Sequence, residues 1–398
     1  MIEKYYSGVI EQIYNRIGKE TRNIVMANYS NDFSIENLEV IRRYQSNEDN
    51  VFFAYSEFSY NTLVGAYEPF LDIICNMHRR FIGGSFDDFQ KECGVYYLHR
   101  QVLNSYYETG ECFREETVLL NEVAYEQRRM TMAIVDMLKR LSEVRPLMIV
   151  INRFQMASKS SIETIKYLID NPCANIGIVL GVNALVKGAD STVEVWDSIV
   201  ESLEDRSAVY YIGSAGQLKN TVKTTNDDEM YITMNFEQSI QEASNIMEFL
   251  DFEQAKRGCR IIEHKLKFEG AWIDEKSLRR FYMVYARTSV LLGEMSKAIE
   301  LTNEFKALIP ENDSEHYLSL YYFMKGTCYM YQGKLEKAEG CAKKAYDYAL
   351  LADDELLEFK SELLSVMIKM SGWYNIFFCV QDIPVSDEII EKIIKHGY

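Results

Sequence analysis

Two stretches of the chain match each other at a fixed spacing, and that match restricts the fold more than any other feature. Leu291-Leu292-Gly293-Glu294-Met295-Ser296-Lys297-Ala298 aligns with Tyr331-Gln332-Gly333-Lys334-Leu335-Glu336-Lys337-Ala338, so Gly333 follows Gly293 by 40 residues. The offset carries through Phe305 and Ala345, and Pro310 closes the first unit. Apolar residues recur at helical spacing on both sides of each glycine, so each copy reads as a helix, a tight turn and a second helix. One such hairpin cannot bury its apolar face alone. Copies must therefore stack on one another.

Gly326 and Tyr329 fall where the second unit's first helix needs a small and an aromatic residue. Weaker copies flank the central pair: Leu250-Asp251-Phe252-Glu253-Gln254-Ala255 before it and Gly372-Trp373 after it. The pattern resembles the tetratricopeptide repeat. Its spacings exceed the roughly 34 residues of the ordinary repeat, which predicts longer helices or larger loops. Registering Gly293 and Gly333 with that repeat's helix-to-helix turn puts Met283, Arg287 and Val290, then Phe323, Thr327, Met330 and Tyr331, along the concave surface. This is an apolar and aromatic strip with one guanidinium, rich in the aromatic, methionine and arginine types that concentrate binding energy at interfaces, so its members are the predicted partner-binding residues. At helical spacing such residues also serve as inter-repeat core. Ala286, Ala298, Gly326, Tyr329 and Ala338 are assigned to packing on other faces. A closing segment, residues 387–396, carries Ile389, Ile390, Ile393 and Ile394 on one stripe that needs cover from the preceding repeat, another chain or a continuation.

The first half has a different texture. Segments 23–28, 51–56, 147–152, 175–181 and 208–213 are short and rich in β-branched or aromatic residues. Near-continuous apolar runs such as Leu147-Met148-Ile149-Val150-Ile151 suit strands covered on both faces by helices. Helical patterns at 69–81, 96–107 and 115–144 form a large insertion between the second and third strands. The expected fold is α/β plus all-α: a parallel sheet with a helical insertion over residues 1–235, then helical repeats over 236–398.

The order of these elements resembles the signal-transducing NTPases of the AAA-related class, and more narrowly the sensor part of large bacterial regulators of the maltose-activator type. It is carried by Tyr67-Glu68-Pro69-Phe70, by Pro146 through Leu168, by Gly181-Val182-Asn183 and by the repeats. The resemblance implies a P-loop-like sheet followed by a tetratricopeptide-like α-solenoid. It also implies a glycine-rich loop after the first strand, because bare backbone N–H groups and one lysine must wrap the phosphates. Here that place reads Ala27-Asn28-Tyr29-Ser30-Asn31-Asp32-Phe33-Ser34, without glycine or lysine. Gly18-Lys19 precedes the strand and fits a helix end. The third strand ends Asn152-Arg153, where the class keeps acids for magnesium and for orienting water, and Ser158 takes the place of a further acid. An amide is no base, and a guanidinium opposes a metal ion. Gly213-Ser214-Ala215-Gly216 reads as a glycine turn rather than an anion site.

Composition narrows the functions further. Net charge is −17, which repels the phosphate backbone of nucleic acids. The eight cysteines and five histidines are scattered, with no C-x-x-C or H-E-x-x-H arrangement, so no metal or redox centre is expected. No secretory leader or membrane-crossing run is evident, and a cytoplasmic location is expected. The expected function is a non-enzymatic regulatory scaffold, with a pseudo-NTPase domain, no cofactor, and repeats that bind a protein or peptide or a second copy of the chain. Two alternatives stand beside it: a nucleotide-dependent switch of the same NTPase class, and the sensor fragment of a transcription activator or cyclic-dinucleotide signalling protein.

Overall fold

The run Leu147–Ile151 becomes an inner strand of a parallel sheet, every one of its side chains fully buried. The computed structural model describes residues 2–19, 23–28, 39–45, 50–58, 63–112, 122–183, 186–187, 209–212, 223–224, 235–268, 274–312 and 314–374. Strands β1 (Asn23–Asn28), β2 (Phe52–Glu57), β3 (Leu147–Asn152), β4 (Ile176–Asn183) and β6 (Val209–Ile212) form one sheet in the order β2-β3-β4-β1-β6. All its pairings are parallel. A separate two-strand ladder joins β5 (Val186–Lys187) to β7 (Lys223–Thr224). All five strands expected from the sequence are present, with small shifts at their ends.

Helices cover the sheet and follow it. They are α1 (Ile2–Arg16), α2 (Glu39–Gln45), α3 (Phe70–Met77, extended by a π turn to Ile82), α4 (Phe86–Glu92), α5 (Tyr97–Thr109), α6 (Val123–Val144) and α7 (Lys159–Asp170). Helix α6 shows why the insertion folds as it does. Met130, Ile134, Met137, Leu138 and Leu141 recur on one stripe and are completely buried, and the helix packs on α3 and α7. Each such side chain contributes about 1.5–3 kcal/mol on leaving water.

The rest of the described chain is helical: α8 (Phe236–Glu248), α9 (Phe252–Phe268), α10 (Glu275–Leu291), α11 (Met295–Ala307), α12 (Ser314–Tyr331), α13 (Leu335–Ala352) and α14 (Glu355–Tyr374). Two compact units result, Met1–Glu115 with Glu122–Ile261, and Glu116–Asn121 with Ile262–Tyr398. Helix α8 and the start of α9 thus belong to the unit that holds the sheet.

The matching glycines do the same physical work. Gly293 (φ 77°) donates to Val290 O and Glu294 N to Ser289 O; Gly333 (φ 71°) donates to Met330 O and Lys334 N to Tyr329 O. This left-handed cap closes α10 and α12 alike and sends α11 and α13 back along them. The same bonds recur at Leu250, a leucine held at φ 68°, with Leu250 N on Met247 O and Asp251 N on Ile246 O. The outer match at Leu250-Asp251 therefore shares the turn, although α8 and the start of α9 pack in the first unit. In the second unit, Ala338, Ala342, Ala345 and Ala349 line one face of α13 with no exposure at all. A Cβ on Gly326 of α12 would lie 3.2 Å from the Cys341 Cβ. Small side chains on both helices let their backbones close together.

Candidate functional site

The carboxyl edge of the sheet is where open α/β folds bind ligands, between adjacent strands whose connections leave in opposite directions. Here the reversal falls between neighbours β1 and β4, since the chain leaves β1 for β2 at one edge and β4 for β6 at the other, and Asn28 of β1 lies opposite Asn183 of β4. Residues 29–38 and 213–216, which include Tyr29, Phe33 and the glycine turn, lie outside the described residues. Gly18 follows α1 in the left-handed region (φ 85°) and donates to Ala174 O, a helix-ending role.

At the end of β3, Asn152 is buried and its side-chain oxygen accepts from Arg153 N at 3.0 Å. Arg153 is left-handed (φ 55°), at a cost of roughly 1 kcal/mol for a non-glycine residue. Its guanidinium turns back over β2 and pairs with Glu57 at 2.9 Å. Tyr55 donates its hydroxyl to the same carboxylate at 3.1 Å. Ser158 serves as the N-cap of α7, accepting from Ser161 N. The three positions that the NTPase resemblance marks thus hold an amide, an ion-paired cation and a cap.

A second site was not visible in the sequence. A cleft of about 380 Å³ in the first unit gathers Glu68 from the segment before α3, Asp72 of α3, Tyr106 of α5 and Glu242 of α8. Two of the carboxylates converge on Gly65, where an added Cβ would lie 3.0 Å from Glu242 Oε1 and 3.3 Å from Glu68 Oε2. Gly65 N donates to Glu68 at 2.9 Å, and the Tyr106 hydroxyl donates to Asp72 at 3.1 Å. Among the described residues, no lysine or arginine lines the cleft. Burial, reinforced by the neighbouring Glu68 and Asp72 charges, pushes the Glu242 carboxyl up to about 7. Burial likewise raises Glu68 and the Tyr106 phenol. The cleft can therefore exchange a proton near neutral pH. Among the described residues of its lining, no serine, cysteine or histidine offers a nucleophile. Glu68 stands in a motif that the sequence singles out. Glu242 carries no local signal, because its partners lie on distant segments.

The sign of the pH effect follows from that geometry. Between about 4.5, the ordinary glutamate value, and about 7, the folded state holds a proton that the unfolded state has lost. Stability therefore falls as pH rises through this window. Glu242→Gln is expected to flatten the dependence and to raise stability at pH 8 by about 2 kcal/mol, while changing little at pH 4. Urea unfolding of both proteins across this range checks it; parallel pH profiles would contradict the assignment.

The seven residues expected to meet a partner all belong to the second unit. Val290, Thr327 and Met330 are buried there, while Met283, Arg287, Phe323 and Tyr331 are half-buried. Met330 joins a core cluster with Ala338, Ala342, Leu364 and Ile368, against which Phe323 and Tyr331 pack. Thr327 donates its hydroxyl to Phe323 O at 2.9 Å. The closing segment 387–396 lies outside the described residues.

No family model, curated protein or solved structure matches the chain. Its function therefore rests on the chemistry of its own residues. Among the described residues, no group of three or more histidine, cysteine, aspartate or glutamate side chains is arranged to hold a metal ion. No described helix is long and apolar enough to cross a membrane.

Proposed function

We propose that this chain is a non-enzymatic regulatory scaffold, in which a degenerate NTPase-like sheet domain serves as a platform and tetratricopeptide-like helices bind a protein or peptide. The observation that carries this reading is the Arg153–Glu57 ion pair at the end of β3. Phosphoryl transfer needs carboxylates there to hold magnesium and orient water, whereas Arg153 brings a fixed cation and neutralises Glu57. The parallel sheet with β1 inside it supports the NTPase-like part. The repeated left-handed glycine turns at Gly293 and Gly333 support the repeat part. On this reading Met283, Arg287, Phe323 and Tyr331 are the members of the predicted strip that a partner reaches, and the buried three hold the helices beneath them.

Calorimetric titration with Mg-ATP and Mg-GTP tests the platform. The expected result is no saturable heat with either nucleotide. A micromolar dissociation constant would overturn the reading in favour of a nucleotide-dependent switch.

A further inference from the structure

The chain carries a large excess of acid, and many of its lysines answer to carboxylates: Lys91 to Asp87, Lys166 to Asp170, and Lys267 and Lys297 to Glu263. The α12–α13 hairpin breaks this habit. Lys337 and Lys344, both exposed, lie 5.9 Å and 5.1 Å from the ring centres of Tyr329 and Tyr322. Lys325 donates to the Tyr321 hydroxyl at 2.6 Å. Among the described residues, none of these three ammonium groups has a carboxylate within ion-pair distance. They share a strip: Lys337, Lys344 and Tyr348 stand one or two helical turns apart on α13, and Tyr322, Lys325 and Tyr329 do so on α12. Tyr348 and Tyr322 stack across the seam, ring centres 5.7 Å apart and planes within 2°. Leu351, one turn beyond Tyr348 on α13, is 71% exposed, more than any other large apolar side chain described.

We infer that this strip is a docking surface for an acidic peptide segment of a protein partner, its carboxylates on Lys325, Lys337 and Lys344 and an apolar side chain on Leu351. The inference rests on the scaffold reading and names the partner's chemistry. Ring faces hold the lysine heads apart while leaving N–H groups free to donate, and carboxylates accept them. Exposed Leu351 and the stacked tyrosines supply the area that charge alone does not, since exposed ion pairs contribute little. A peptide fits better than a nucleic acid. The net charge of −17 repels a long polyphosphate, whereas a short peptide meets mainly the charges within a screening length of the strip.

The test uses the full chain and a fluorescein-labelled short peptide of glutamates around one leucine, followed by fluorescence anisotropy. Saturable binding is expected, weakening as salt is raised and absent when glutamine replaces glutamate. Lys337→Glu with Lys344→Glu should weaken it about tenfold or more, with thermal unfolding unchanged. Should charge reversal unfold the hairpin, Lys337→Met with Lys344→Met keeps the stems on the rings without the charge and should weaken binding in the same direction. No saturable binding to the unmodified chain, binding indifferent to both lysine pairs, or tighter binding of oligouridylate would overturn the inference. Arg287→Ala and Phe323→Ala, measured in parallel, separate the two readings. If they weaken the peptide and the lysine variants do not, the scaffold stands and this strip is not its docking surface.

Discussion

Asp251→Ala is expected to cost about 3 kcal/mol, far more than an average substitution. Asp251 is only 4% exposed, yet it stands at the start of α9 and its carboxylate reaches across to α7. Its oxygens accept from Ser160 N at 3.1 Å and, more loosely, from Gln254 N at 3.4 Å. Three segments meet there. Tyr67 N donates to Ser160 Oγ at 3.0 Å, Ser161 Oγ to Glu68 O at 2.7 Å, and Gln254 Nε2 to Val64 O at 3.0 Å. Alanine removes the cap of α9, worth about 1 kcal/mol, and leaves the buried Ser160 N–H without its acceptor, which costs about 1–3 kcal/mol more. Burial raises the Asp251 carboxyl, so its neutral form is already favoured relative to an exposed aspartate. Asp251→Asn, which resembles that neutral form, is therefore expected to cost only about 1 kcal/mol. Urea midpoints followed by far-ultraviolet circular dichroism give both values. Equal losses for alanine and asparagine would show that the acceptor oxygen is not what holds the three segments.

In the second unit, Gly326→Val is expected to destabilise by about 3 kcal/mol, and Gly326→Ala by little. A Cβ at Gly326 would meet Leu364 Cδ2 at 3.1 Å, Cys341 Cβ at 3.2 Å and Ala338 O at 3.4 Å. The leucine tip can move, but the other two atoms are fixed to the backbone of α13. Alanine gains about 1 kcal/mol of helix propensity, which offsets the crowding of one carbon. Valine adds two branches where no room exists and must push α12 away from α13, loosening the face formed by Ala338, Ala342 and Ala345. Thermal unfolding of the two variants checks this. A valine variant as stable as the original would mean that the helices are not in close contact at Gly326.

Features whose causes are local can be read directly from the residues. Strands β3 and β4 are legible because a strand buried on both faces must be apolar almost without interruption. The turns at Gly293 and Gly333 are legible because a left-handed cap selects glycine and the interval repeats. The absence of acids after Ile151 is a matter of residue identity and can be read directly. What Arg153 does there cannot, since its ion pair with Glu57 depends on β2 and β3 lying side by side in register. The division of the predicted strip into buried Val290, Thr327 and Met330 and half-buried neighbours was equally hidden, because helical spacing alone cannot say which side of an apolar stripe meets the next helix. Only the tertiary structure brings Glu68, Asp72, Tyr106 and Glu242 into one cleft and seats Asp251 on Ser160. Those contacts join segments far apart in the chain, and their energies come from burial and from neighbouring charge, neither of which exists until the segments pack.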